Sequence, residues 1–346
     1  GRARIRLRTA GAPRGQETGA SVALIRKIGV IGQGHVGAHV ANSLLMQGVA
    51  DELYLADINA QKLESECQDL TDSMSFYPHN CRVVNCGEKY ELLAGCDVVV
   101  NAAGDVAKAA GDRDGELFVT AEITRTWPRR LVDAGFGGVI VTISNPCDVV
   151  CTELWHLTGY DPKKIIGSGC GLDSARLRTE ISKKVAVSPK SIDAYMIGEH
   201  GFSQLAAFKA ATIAGKSLNE LQAENPDKYA FDHMEVEELA RKGGYVTYQG
   251  KQCTEYAVAN SAARVCAAVL HNEHAVLSAS TLMTGQYGEE GIFTSLPCVI
   301  GAEGVEEVYT LDLSEYELEG FHKSCQHIRD NIAQLDWWDA AAYDAK

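Results

Sequence analysis

The sequence predicts an α/β protein in which a doubly wound parallel sheet is followed by a mixed α+β domain. Up to Gly167, short apolar runs alternate with amphipathic segments of helical period. Strands that are apolar on both faces are typical of a parallel sheet covered by helices. A glycine-rich turn directly follows the first apolar run, and beyond Gly167 the pattern changes.

The parallel sheet is predicted where apolar residues continue almost without interruption. The predicted strands are 26–32, 52–57, 81–86, 96–104 and 138–146. Helices are predicted at 35–48, which ends at the stop signal Gly48, and at 59–74. This alternation of strand and helix predicts the first domain, which we place at 22–167.

The second half of the chain mixes amphipathic helices with shorter β-like runs. The β-like runs include 191–201 and 296–301, and one long helix is predicted at 254–271. We place the second domain, for substrate binding and catalysis, at 168–346. Residues 1–21 are rich in arginine, and we interpret them as a disordered or non-native extension rather than a targeting segment.

The composition excludes several classes of function. Hydrophobic residues make up 46% and charged residues 23% of the 346 positions, as is ordinary for a globular enzyme. The net charge of -14 argues against a nucleic-acid partner, and no apolar run is long enough to predict a membrane span. Because the eleven cysteines include no Cys-x-x-Cys pair, we expect reduced thiols in a cytoplasmic protein. No Cys/His group has ligand spacing, so we expect no metal site.

The glycine-rich turn has the pattern of a dinucleotide-binding loop. Gly32, Gly34 and Gly37 follow a strand and open a helix, where free N–H groups favour a pyrophosphate. Asp57 ends the next strand, where its carboxylate accepts hydrogen bonds from ribose hydroxyls and repels a 2′-phosphate. The sequence therefore predicts a Rossmann-type domain that binds NAD rather than NADP. The other predicted cofactor-binding residues are Gln33, His35, Val36 and Asn145.

Polar residues in four further segments suit hydride transfer to a 2-oxo acid. Arg176 offers a planar fork for a carboxylate, and His200 titrates in the range that proton transfer needs. Asp173 can orient the imidazole, while Arg113 lies on a polar loop that can close and polarise the substrate carbonyl. Asn145 follows a buried strand and can donate a hydrogen bond to the substrate oxygen.

These segments also occur together in a known family. The runs "IGQGHVG", "ISNPCDVV", "IIGSGCGLDSARLR" and "GEHG", with the loop arginine, resemble the lactate/malate dehydrogenase family from about Arg26 to the end of the chain. Within this family the sequence most resembles bacterial L-2-hydroxyisocaproate dehydrogenases, and after them L-lactate dehydrogenases.

The resemblance implies an NAD-dependent L-2-hydroxy acid dehydrogenase that assembles as a homodimer or homotetramer. It implies that His200 is the acid–base group and Asp173 its partner. It also implies that Arg176 binds the substrate carboxylate, that Arg113 and Asn145 act on the carbonyl, and that Thr254 lines the pocket.

The position that discriminates substrates in this family holds Ala107. Lactate enzymes have glutamine there and malate enzymes arginine, so a second substrate carboxylate meets no cation unless Lys108 reaches it. A small apolar lining favours a larger alkyl chain, for which each buried methylene contributes about 0.8 kcal/mol. We therefore predict a medium or branched-chain 2-oxo acid as substrate. The alternatives are L-lactate dehydrogenase, then malate dehydrogenase, and an NAD-binding protein without catalysis.

Overall fold

The six parallel strands of the N-terminal half form the centre of the fold. The structure, a computed structural model, describes residues 24–104 and 113–335, with the side chains of 113–115 excepted. The strands are β1 (Lys27–Ile31), β2 (Glu52–Ala56), β3 (Arg82–Gly87), β4 (Val98–Asn101), β5 (Val139–Thr142) and β6 (Ile165–Gly167). Their spatial order is β3-β2-β1-β4-β5-β6, so the direction of winding reverses between β1 and β4. Ligands of such sheets bind at this reversal, outside the carboxyl ends of the strands.

Helices of the N-terminal half cover both faces of this sheet. They are α1 (His35–Met46), α2 (Ala60–Ser73), α3 (Arg113–Thr124), α4 (Pro128–Asp133) and α5 (Cys147–Thr158). Leu44 and Leu63 belong to the core cluster on one side, and Leu131 and Leu154 to the cluster on the other. Since both faces are covered, β4 and β5 are buried along their whole length, which explains their uninterrupted apolar sequence.

The sheet continues past the first half of the chain. Three strands of the C-terminal half extend it to nine strands: β12 (Ala275–Thr284), β13 (Glu290–Gly301) and β14 (Gly304–Val308). Strand β12 pairs antiparallel with β6 at Ser280 and Gly167. The division at Gly167 therefore stays a prediction, because one sheet crosses it.

The remaining elements of the C-terminal half include two small sheets and six helices. The strands are β7 (Ile192–Asp193), β8 (Met196–Ile197), β9 (Leu205–Ala206), β10 (Thr212–Ile213) and β11 (Lys216–Ser217). The helices are α6 (Gly171–Val185), α7 (Leu218–Glu224), α8 (Pro226–Tyr229), α9 (His233–Lys251), α10 (Tyr256–Leu270) and α11 (Glu315–Ala333). The predicted fold class, a Rossmann-type doubly wound parallel sheet followed by a C-terminal mixed α+β domain, is confirmed.

Three further findings concern the sequence predictions. The predicted extension at 1–21 and the position Ala107 lie outside the described residues. Ten of the eleven cysteines are buried, and Cys253 is half-buried. Among the described helices, none combines the length and the apolar character that crossing a bilayer requires.

Candidate active site

The glycine-rich turn between β1 and α1 adopts a backbone that only small residues tolerate. Gly32 has φ +88°, in the left-handed region that favours glycine. A Cβ at Gly37 would overlap the carbonyl oxygen of Gly32, so the helix and the turn pack in direct contact. Gly34 has nothing within 4 Å of where its Cβ would be, which leaves its backbone open to a ligand. These features fit a bound pyrophosphate at the first turn of α1.

Asp57 is joined to this turn by hydrogen bonds. Its Oδ2 accepts the Gln33 backbone N–H at 2.5 Å, and its Oδ1 accepts the Asn59 backbone N–H at 2.7 Å. Gln33 is buried, and its side-chain amide donates to the Val30 carbonyl at 3.1 Å. Each oxygen of Asp57 keeps a lone pair for a ribose hydroxyl, so the residues present fit NAD. Of the other predicted loop residues, Val36 is half-buried and His35 is exposed.

His200 and Asp173 form a close pair. Asp173 lies in the first turn of α6, and His200 follows β8. Their Nδ1 and Oδ2 atoms are 2.6 Å apart, with 1% of the Asp173 side chain and 25% of the His200 side chain exposed. Because the carboxylate occupies Nδ1, the Nε2 atom of the imidazole is the one that can exchange a proton with a substrate.

The electrostatics of this pair favour a charged imidazole. Burial lowers the pKa of His200, but the charge and hydrogen bond of Asp173 outweigh burial and raise that pKa to about 9. Burial also opposes ionisation of Asp173, and the cations His200 and Arg176 nevertheless hold its pKa below the usual value. A proton donor is therefore present at neutral pH.

Arg176 lies one helical turn beyond Asp173. Its NH1 group donates to Asp173 Oδ1 at 2.8 Å, which leaves the other edge of the guanidinium for a carboxylate. Gly243 and Gly244 of α9 pack against this side chain: a Cβ at Gly243 would lie 2.9 Å from Arg176 Cδ, and one at Gly244 3.5 Å from its NH1 and NH2. No role was predicted for these glycines, although two consecutive glycines inside a helix are unfavourable for helix stability and therefore indicate a packing requirement.

Asp148 is a second carboxylate at the site that sequence reasoning missed. Its Oδ2 accepts the backbone N–H of His200 at 2.8 Å, and its Oδ1 accepts the Ser280 hydroxyl at 2.5 Å. Burial raises its pKa to about 6, against the effect of these two hydrogen bonds. Asp148 thus fixes the backbone of His200, while Asp173 fixes the ring. Asp148 ends the run "SNPCD", which also contains the predicted site residue Asn145, and this proximity in sequence could have identified it.

The remaining predicted site residues are less completely defined. Asn145 is exposed between β5 and α5, three residues before Asp148. Thr254 is half-buried in the connection between α9 and α10. Arg113 is the first residue of α3, but its side chain is outside the described part of the structure, as is Ala107. The structure therefore brings together His200, Asp173 and Arg176, and separately the glycine turn with Asp57.

Nearly the whole described chain matches two known protein families. Residues 26–167 match a family described as lactate/malate dehydrogenase, NAD binding domain. Residues 170–336 match its partner, described as lactate/malate dehydrogenase, alpha/beta C-terminal domain.

Individual relatives agree with these two matches. An L-lactate dehydrogenase of Fusobacterium nucleatum subsp. nucleatum is 37% identical over 308 residues, which cover 89% of this chain and 96% of the relative. An L-lactate dehydrogenase of Lactococcus lactis subsp. cremoris is 35% identical over 310 residues, covering 90% and 98%. The crystal structure of minor L-lactate dehydrogenase from Enterococcus mundtii in the ligands-bound form has a TM-score of 0.85 at 32% identity, covering 91% of this chain and 99% of that one.

Proposed function

Because this chain belongs to the lactate/malate dehydrogenase family and is an NAD-dependent oxidoreductase acting on the CH–OH group of 2-hydroxy acids, we propose that its preferred substrates have medium or branched alkyl chains. In the reductive direction this is the conversion of a 2-oxo acid to the (S)-2-hydroxy acid. The observation that supports the preference is the glycine pair Gly243–Gly244 beside Arg176.

The proposed acid–base group is His200. Its Nε2 donates a proton to the substrate oxygen during reduction and removes it during oxidation, while Asp173 holds Nδ1 and stabilises the cation. NAD supplies or accepts the hydride when bound. Asp148 accepts the backbone N–H of His200 and so keeps that backbone in place. The imidazole would therefore meet the substrate in one orientation.

The proposed carboxylate partner is Arg176. Two parallel N–H···O bonds from the outer edge of its guanidinium would fix the substrate carboxylate. In our proposal Asn145 donates to the substrate oxygen, and Arg113 stabilises the charge that develops on the carbonyl. Thr254 and Ala107 would line the pocket. The glycine turn and Asp57 would bind the pyrophosphate and the ribose of NAD.

The surroundings of Arg176 favour a larger alkyl chain. Gly243 and Gly244 contribute no side chains next to the guanidinium, so α9 adds no side-chain bulk beside the group proposed to hold the substrate carboxylate. Phe202, two residues after His200, stacks on Tyr245, the residue after Gly244, with ring centroids 5.4 Å apart. Both rings are partly exposed, so they add an apolar surface next to Gly244, where a branched chain would gain more from burial than a methyl group.

The second candidate is L-lactate dehydrogenase, which the names of the relatives favour. The same catalytic residues serve pyruvate, and the two candidates differ only in the alkyl pocket. Malate dehydrogenase is the weakest candidate, because Ala107 stands at the position where that group has an arginine.

The test is kcat/KM with NADH for pyruvate, 4-methyl-2-oxopentanoate and oxaloacetate. We expect the branched acid to have the highest value. A higher value for pyruvate would establish the lactate activity instead, and a higher value for oxaloacetate would indicate that Lys108 supplies a cation. Absence of turnover with all three would reject the catalytic assignments.

A matched pair of variants isolates the glycine pair. In Gly244→Ala the new methyl group contacts the Arg176 guanidinium, so we expect the ratio of kcat/KM for the branched acid over pyruvate to fall about tenfold. Gly250→Ala adds the same methyl group to the same helix with nothing within 4 Å. This control should leave the ratio unchanged. Equal ratios in both variants would disprove the role of Gly244.

A further inference from the structure

We propose that His35, Cys253 and Glu255 form a binding site for a divalent transition-metal ion of the zinc class. Among the described residues, these three side chains each offer one ligand atom, and the three atoms lie within 4.8 Å of one another. Imidazole, thiolate and carboxylate are the protein ligands that Zn²⁺ takes, and three of them with one water complete a tetrahedral site.

The observed distances are near those of a metal site. Glu255 Oε2 lies 3.4 Å from Cys253 Sγ and 3.8 Å from His35 Nδ1. With metal–ligand bonds of about 2.0–2.3 Å, tetrahedral neighbours are roughly 3.4–3.7 Å apart. Closing the remaining gap requires a small movement of the His35 side chain, which is 80% exposed.

Glu255 provides the fixed point of the site. Only 8% of this residue is exposed, and its Oε1 accepts Lys251 Nζ at 2.7 Å, which orients the carboxylate. The other oxygen, Oε2, is approached by Cys253, His35 and His39, the last at 3.6 Å from Nδ1. Since His39 Nδ1 donates to the His35 carbonyl at 2.7 Å, its proton stays in place and His39 is not a ligand through that atom.

Binding replaces one proton by the metal ion. Cys253 now donates its S–H to Glu255 Oε2, and on binding that proton leaves to water while the thiolate sulfur bonds to the metal. Because the thiol must lose this proton before its sulfur can bind, metal affinity should increase with pH. Lys251 opposes the metal by its positive charge, while its contact with Glu255 Oε1 leaves Oε2 available to the ion.

The site would join two parts of the molecule. His35 is the first residue of α1 in the glycine-rich turn, while Cys253 and Glu255 lie in the connection that ends α9 and starts α10. Helices α1 and α10 already pack together through buried residues such as Val40 and Ala262. A metal ion would therefore tie the nucleotide-binding turn to the segment that contains Thr254, and would stabilise the folded chain.

The test is a titration of the metal-free full chain with Co²⁺, followed by the thiolate-to-cobalt absorption band. We expect one Co²⁺ per chain, displacement by Zn²⁺, and an upward shift of Tm with Zn²⁺. Cys253→Ser should abolish the band. Glu255→Gln and His35→Ala should weaken binding at least about tenfold, the loss that even outer-shell partners cause.

Two further variants separate this site from general surface binding. His274→Ala removes another partly exposed histidine, whose Nδ1 is 2.7 Å from Glu306, and should leave Co²⁺ affinity unchanged. Lys251→Gln removes the competing cation and should tighten binding. An absent band in the wild type, a band that persists in Cys253→Ser, or equal losses in His274→Ala and His35→Ala would overturn the proposal. The readout is independent of turnover, so failure here leaves the proposed function unaffected.

Discussion

Two histidine–carboxylate clusters in this molecule differ in how firmly they are built. At the active site His200 and Asp173 are 2.6 Å apart, and Asp148 and Arg176 hold the two partners from the other side. In the second cluster His35 is 3.8 Å from Glu255, and only the carboxylate is buried. The first arrangement is complete without a ligand, whereas the second needs a cation to draw its members together.

The difference shows what burial does to charged groups. A buried carboxylate must be paired, and pairing fixes both its geometry and its pKa, as for Asp173. An exposed histidine is held by little more than screened attraction, so its position stays adjustable. A proton-transfer site benefits from the first condition, and a metal site that must admit its ion benefits from the second. Variants at both clusters test this contrast.

The largest effect is expected for His200→Ala. In the proposed mechanism only this imidazole exchanges the proton with the substrate oxygen, so kcat should fall by about 10²–10⁴-fold in both directions. Steady-state kinetics measure the loss, and circular dichroism checks that the fold remains. A decrease in kcat smaller than tenfold would contradict the assignment of His200.

Asp173→Asn should reduce kcat less and also shift the pH profile. In the proposed mechanism, reduction needs protonated His200 and should decline as pH rises through about 9, while oxidation gains over the same range. Asparagine removes the charge that raises the pKa of His200, so both limbs should move to lower pH, with kcat for reduction about 10²-fold lower at neutral pH. An unshifted profile would mean that Asp173 does not control His200.

The raised pKa of His200 should also make the free energy of unfolding of the chain depend on pH. The pKa of His200 is raised from 6.5, the value expected for the unfolded chain, to about 9 in the folded chain. Its contribution to the free energy of unfolding is therefore fully present below about pH 6.5 and is lost as pH rises through about 9. Urea unfolding between these pH values should show this loss in the wild type and a smaller one in Asp173→Asn.

Asp148→Asn tests the support of the His200 backbone. The amide oxygen of asparagine still accepts the His200 N–H, so the loss should be small, about tenfold in kcat at pH 8. Because the pKa of Asp148 is raised to about 6, its carboxyl is already largely neutral below that pH, and the variant should then approach wild-type activity. A loss that is equal at pH 5 and pH 8 would show that the charge of Asp148 does not matter.

The smallest effect is expected for Cys253→Ser in metal-free buffer. The residue is half-buried and its hydrogen bond to Glu255 is replaced by that of a hydroxyl group, so kcat should stay within about twofold and Tm should hardly change. Activity and thermal denaturation in the presence of a chelator measure this. A large loss of kcat or Tm without metal would show that the contacts of the second cluster, like those of the first, already stabilise the chain without a ligand.

Features that depend on near neighbours along the chain could be predicted from the amino-acid sequence. The glycine-rich turn is one of them, because Gly32 requires a left-handed backbone and Gly37 lies against it within the same short segment. The alternation of apolar strands and amphipathic helices up to Gly167 is another, because a strand covered on both faces has no polar side. The spacing of Asp173 and Arg176 on one helix belongs here too.

Contacts between segments that are distant in sequence could be found only in the folded chain. These are the hydrogen bond from the His200 amide to Asp148, the packing of Gly243 and Gly244 on Arg176, the antiparallel extension of the sheet by β12–β14, and the meeting of His35 with Cys253 and Glu255. Ligand spacing in the sequence predicts a site only when its members share a segment. Contacts between separate helices and strands follow from how whole faces pack, and local propensity does not encode that packing.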